Sequence, residues 1–144
     1  MKTDTYLDLE LEMYWDEHLY EAHRAMDPKS NRRATAVKSV MAASVLEFSV
    51  DAEGRLVTGE IASWTDYDWA DEQAVVSQLF DYLRARADTP VLTFGGLATD
   101  IPVLLLASMA HGLPLPPQPI DQPGRAGPCP PSDWGLMLKG GGRT

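Results

Sequence analysis

The sequence has a single cysteine, Cys129, in 144 residues. One thiol excludes an intrachain disulfide framework and a cysteine-based zinc site. Basic residues are scarce as well: 12 Lys and Arg stand against 21 Asp and Glu, for a net charge of −9. A chain this acidic lacks the basic face of a dedicated duplex-DNA clamp, although an acidic cleft that holds cations can meet nucleic acid through them. No apolar run reaches the roughly 20 residues of a membrane span. Met1-Lys2-Thr3-Asp4 also lacks the basic-then-apolar start of a signal peptide. The expectation is a protein of a reducing, cytoplasmic setting without a membrane segment. No internal repeat is visible.

What the chain does have is a hydrophobic fraction of 44%, enough for one globular domain with a true core. Most of its eleven prolines and eleven glycines gather after residue 111. We read residues 1–144 as one domain: a compact part over about 3–113, a proline-rich loop over 114–131, and a short terminal strand with a basic glycine tail over 132–144.

The start of the chain is crowded with acids, and Arg24, Lys29, Arg32, Arg33 and Lys38 follow directly. Thr5 to Glu10 alternates as a strand, with Leu7, Leu9 and Leu11 on one face and Tyr6, Asp8 and Glu10 on the other. Asp8 and Glu10 thus share a face, which is either the solvated side of an edge strand or a pair of ligands. Met13, Tyr14, Leu19 and Tyr20 suggest a helical turn or two, broken at Asp27-Pro28. His18 and His23 are five apart, off the spacing that puts two ligands on one helix face, and read as exposed polar residues. The basic cluster is either a solvated loop or a contact for a phosphate backbone.

Residues 37–50 form a long strand whose expected inner face is Val40, Ala42, Leu46, Phe48 and Val50. Asp51-Ala52-Glu53-Gly54 is a hairpin turn with the glycine at a position needing positive φ. Residues 55–64 return as a strand, with Leu56, Val57, Ile61 and Trp64 the expected buried set and Gly59 a bulge. Asp68 is the expected cap of a helix running to about Arg86, with Val75, Val76, Leu79, Phe80 and Leu83 as its apolar stripe. Val91 to Phe94 is a short buried strand. Gly95-Gly96 makes a tight turn, and Thr99 can cap a largely apolar helix that carries Pro102 in its first turn and ends at Gly112. The segment from Leu113 to Pro131 is too proline-rich for helix or central strand, and residues 132–138 return as the last strand.

The element order is a three-stranded antiparallel meander, a crossover helix, a parallel strand, a helix and a last short strand. That is an α/β class with a ribonuclease H-like layout. The first strand carries Asp8-x-Glu10 and the second helix opens at Asp100, so these carboxylates meet at one edge of the sheet.

With those motifs in place, the chain resembles the DEDD 3′–5′ exonuclease superfamily. Within it, the chain is most similar to the predicted exonucleases related to the exonuclease domain of family B DNA polymerases. Tyr6-Leu7-Asp8-Leu9-Glu10 matches the first motif. The helix from Asp71-Glu72 to Phe80 matches the element before the second motif. Leu92 to Leu104 matches the second motif itself, usually Thr-Phe-Asn-Gly, three residues, then Asp-Leu-Pro-Val-Leu. The similarity spans about residues 5–115. It implies a metal-dependent exonuclease hydrolysing phosphodiester bonds at single-stranded 3′ ends, with two Mg²⁺ or Mn²⁺ ions in all-oxygen ligation. Asp8 would bridge both ions, Glu10 would hold one, and Asp100 would complete the site. Thr93, Gly95 and Gly96 of the second motif, with Arg32 and Arg33, would face the nucleic acid.

The chain departs from the pattern at Gly95, where relatives carry asparagine, and at Thr99, where they carry an aromatic residue. The third motif, with its fourth carboxylate, is missing, as in a C-terminally truncated form of the fold. Neither Asp133 nor Asp121 takes its place. Two further readings follow from that gap: a second copy of the chain or a protein partner completes the site, or the domain is a non-catalytic module that binds nucleic acid or protein.

Overall fold

The computed structural model describes residues 4–29, 37–65, 71–93, 99–118 and 120–121. Strand β1 (Asp4–Trp15) lies at the centre of a five-stranded sheet. It pairs antiparallel with β2 (Lys38–Val50) along its whole length, and parallel with β4 (Val91–Leu92) at Leu7 and Asp8. With edge strand β3 (Leu56–Thr65) and β5 (Ile120–Asp121) the order is β3-β2-β1-β4-β5. This is the mixed α/β, ribonuclease H-like layout expected from the element order.

The alternation of β1 fixes its two faces. Leu7 and Leu9 are fully buried and Leu11 packs beside them, while Glu10 and Glu12 on the opposite face are exposed. The strand runs further than expected, so Met13 and Tyr14 belong to it and not to a helix. Pairing of Met13, Tyr14 and Trp15 with Val40, Ser39 and Lys38 outweighs a weak helical pattern. Helix α1 (Glu17–Met26) begins after Asp16, whose carboxylate accepts the Leu19 N–H at 3.0 Å. None of its residues is buried.

In β2 the expected inner face is corrected by one extra residue. Glu12 lies opposite Ala42 but Met13 lies opposite Val40, so Met41 is inserted and the faces exchange there. Val40, Ala43 and Val45 line the core. Leu46, Phe48 and Val50 instead share the open face with Tyr6, which stacks on Phe48 at 5.5 Å between centroids. The hairpin turn is as expected, with Gly54 at φ 77°. The Asp51 carboxylate accepts the backbone N–H groups of Glu53 and Arg55. Gly59 does mark a bulge: β3 spends an extra residue opposite Glu47, and a Cβ at Gly59 would sit 3.1 Å from the Glu47 carbonyl oxygen. The expected burial of Leu56, Val57 and Ile61 is wrong. All three are exposed because β3 has a neighbour on one side only; Trp64 alone of that set packs on the core.

Helix α2 (Glu72–Arg84) buries Val75, Val76, Leu79, Phe80 and Leu83, the stripe read from the sequence. At roughly 1.5–3 kcal/mol per large apolar side chain removed from water, this stripe is the main attachment of α2 to the sheet. Its cap is Asp71, which accepts from Ala74 N–H at 3.0 Å; Asp68 lies outside the described residues. Helix α3 (Asp100–His111) ends at Gly112 in the left-handed conformation, φ 64°. Ile101, Val103, Leu104, Leu105 and Ala107 are buried, while Leu106, Met109 and Ala110 are exposed. Glu72 ties the two helices to the sheet: one carboxylate oxygen accepts Val40 N–H at 2.6 Å and the other meets His111 Nε2 at 2.9 Å.

The proline-rich segment is not wholly without strand. Ile120 and Asp121 pair in parallel with Val91 and Leu92 at the sheet edge. Gln118, fully buried, fastens this segment by donating from Nε2 to the Leu83 and Arg86 carbonyls at the end of α2. The strand expected over 132–138 lies outside the described residues. No helix among the described residues is long and apolar enough to cross a membrane.

Candidate active site

Among the described residues, β4 pairs with β1 as far as Asp8. Asp100, at the first turn of α3, holds β1 further along: its carboxylate accepts the Leu11 backbone N–H. The Thr99 hydroxyl donates to the Asp100 Oδ1 atom at 3.0 Å. Thr99 therefore stands at the cap position but its side chain serves Asp100, not the helix N–H groups as expected.

Asp8 and Glu10 project from the open face of β1 beside this junction. Asp8 Oδ1 is buried and has no hydrogen-bond partner among the described residues. Burial pushes the Asp8 carboxyl above its usual range. Glu10 is raised too, by burial first and then by the negative charges of Asp8, Asp100 and Glu12. Asp100, 8% exposed, is raised by burial despite the Thr99 hydroxyl, the Lys38 charge and the Leu11 N–H, all of which pull it down. Glu10 therefore feels three neighbouring acids, and Asp100 feels Glu12 and the Lys38 cation.

A cleft of about 130 Å³ opens next to them, lined by Glu10, Leu11, Glu12, Ala42, Ala43 and Ser44. Small side chains on β2 form its floor, and the Ser44 and Ser63 hydroxyls share a hydrogen bond of 2.9 Å close by.

The structure thus brings Asp8, Glu10 and Asp100 into one neighbourhood. It does not close them into a ready-made cation site: among the described residues, no three His, Cys, Asp or Glu side chains are grouped to hold an ion. Thr93 is fully buried with its hydroxyl unpartnered among the described residues. Gly95, Gly96, Arg32 and Arg33 lie outside the described residues. Two contributors were missed from the sequence. Glu12 continues the alternation of Asp8 and Glu10 and was legible. Lys38 acts through a strand register that spacing alone does not reveal.

No family model and no curated protein matches the chain. Solved structures do. The chain is similar to the family B DNA polymerase of the archaeon Pyrobaculum calidifontis, at 15% identity over 77% of this chain and 12% of that one, with a TM-score of 0.49. It is similar to E. coli ExoI in a zinc-bound complex with single-stranded DNA, at 11% identity over 84% of this chain and 28% of that one, TM-score 0.45. A second structure of E. coli exonuclease I, with a dT13 oligonucleotide, matches at 12% identity over 75% of this chain and 24% of that one, TM-score 0.40. The chain spans less than a third of the length of each. The fold assignment itself rests on the strand order and register described above.

Proposed function

We propose that this is a metal-dependent 3′–5′ exonuclease-like domain acting on single-stranded nucleic-acid ends. The observation that carries the reading is the convergence of Asp8, Glu10 and Asp100 beside the start of α3, all three raised by burial and Glu10 also by the charges of the other two. Acids kept partly out of water beside like charges mark a site with a task. The donor set suits a hard cation: all oxygen, with a buried Asp8 Oδ1 that has no donor among the described residues. Asp8 and Glu10 would hold the ion, and Asp100 would approach from across the junction. Exposed Glu10 can turn about its own torsions to close the set. A bound divalent cation would lower the pKa of the attacking water and offset charge on the phosphoryl oxygens. The Lys38 charge favours the ionised form of Asp100, and the Leu11 N–H fixes its position.

A second reading is a non-catalytic module that binds nucleic acid or protein. It is favoured by the Asp100 carboxylate being occupied by two donors and by the loose grouping of the acids. A digestion assay on a 3′-labelled single strand separates the two. The exonuclease reading expects Mn²⁺-dependent release of nucleoside monophosphate that Asp8→Ala abolishes. Release that is unchanged in Asp8→Ala sinks the assignment.

A further inference from the structure

Among the described residues, β3 pairs with β2 alone, so its outer backbone groups have no ladder partner there. Such edges are usually guarded by lysine, by proline or by shortness. β3 runs for ten residues and holds neither lysine nor proline. It also carries three exposed large apolar side chains: Leu56 and Ile61 at 71% and Val57 at 51%. A core role does not account for them. Cross-strand partners share one face of a sheet. Leu56 lies opposite Val50, Thr58 opposite Phe48 and Ile61 opposite Leu46, so all three stand on the open face with Tyr6. The edge is electrically neutral as well. Residues 55–65 carry only Arg55 and Glu60, in a chain of net charge −9. The bulge makes this edge complementary to itself. Gly59 and Glu60 together face Glu47, so Ile61 is three residues but only two ladder steps from Thr58. Leu56 is two steps from Thr58 in the other direction.

We propose that a second copy of this chain pairs antiparallel along β3, with the two-fold axis at Thr58, joining two five-stranded sheets into one. A two-fold contact uses the same patch on both copies and must fit itself. This edge does. In a ladder centred on Thr58, Leu56 of one copy stands opposite Ile61 of the other, on the same face. Val50 and Leu56 of one copy then run on into Ile61 and Leu46 of the second as one apolar band, and the axis repeats it. Charge favours the same occupant. Two acidic chains meet with least repulsion where neither presents net charge, and residues 55–65 are such a place. Ten residues a side make a smaller contact than the roughly 20–30 of a standard interface, so the dimer is weak and grows with concentration. The pairing goes beyond the exonuclease-like reading and does not rest on it: β1, with Asp8 and Glu10, is two strands away from β3.

The test is sedimentation velocity of the full chain at rising concentration, in about 0.15 M salt to screen the net charge and in EDTA. Wild type is expected to pass from monomer to dimer. Ile61→Lys sets a charge against the apolar band and is expected to weaken the dimer about tenfold or more. Leu56→Lys is expected to do the same, and takes its place if Ile61→Lys does not fold by circular dichroism. A second measurement reads the register. Thr58→Cys with Cys129→Ser leaves one thiol per chain, and mild oxidation should link two copies through it. Ser63→Cys in the same background should not link, since the ladder holds the two Ser63 positions far apart on either side of the axis. Wild type that stays monomeric at millimolar concentration, a dimer that both folded lysine variants leave unchanged, or linking at Ser63 and not at Thr58 would overturn the pairing. None of these results bears on metal binding at Asp8, which is measured separately.

Discussion

The Asp100 carboxylate accepts the backbone N–H of Leu11, three residues along β1 from the Asp8 position that pairs with β4. One acid therefore finishes the sheet edge and also stands in the candidate site. The two roles separate by substitution. Asp100→Asn keeps an oxygen for Leu11 and removes the charge, and should be at least as stable as wild type in urea. Asp100→Ala leaves the Leu11 N–H unpaired and should be less stable, by about 1–3 kcal/mol for an unsatisfied buried donor. Equal stability of the alanine and asparagine forms would show that the bond adds nothing.

The acids also set the pH dependence. Asp8, Glu10 and Asp100 are all raised in the folded chain. Between the ordinary carboxylate range and the raised values, the folded state holds more protons than the unfolded one, so stability falls as pH rises through that window. Glu10→Gln and Asp8→Asn should melt higher than wild type at neutral pH, with the difference closing in acid. Asp51 has the opposite sign. Its carboxyl is lowered by the Arg55 and Glu53 N–H groups, so its contribution is lost as pH falls through its folded value. Thermal melts of the variants across pH check both signs.

Glu72 joins three elements through Val40 N–H and His111. His111→Ala should cost about 1.5–3 kcal/mol, the range for hydrogen bonds to a charged group, and Glu72→Ala should cost more because it loses both bonds. Urea titrations of the two variants give the comparison; a larger loss for His111→Ala would contradict it.

Gly54 has φ 77° with nothing within 4 Å of the position a Cβ would take. Gly54→Ala should therefore suffer only backbone strain, about 1–2 kcal/mol, without repacking. Unchanged stability would mean that the turn adopts another form.

These expectations divide the chain into what spacing reveals and what only the folded chain shows. The β1 alternation, the α2 stripe, the turn at Gly54 and the helix end at Gly112 were legible because each is a local pattern. The inner face of β2 was not. The extra Met41 moves Val40 to the other face and leaves Phe48 beside Tyr6, and no local signal marks it. Leu56, Val57 and Ile61 looked like core residues because edge position is a property of the whole sheet. Gln118 and the short β5 were hidden among prolines. At the site, Asp8, Glu10 and Asp100 were legible as carboxylates in one neighbourhood. Lys38 reaches Asp100 only through the β1–β2 register.

The central claim is that these carboxylates serve a divalent cation, and calorimetric titration of Mn²⁺ at neutral pH tests it most directly. Wild-type protein is expected to bind the ion, and Asp8→Ala, with its fold intact, is expected not to. No binding by wild type at millimolar Mn²⁺, or equal binding by the variant, would contradict the claim and leave the acids as the open face of a non-catalytic module.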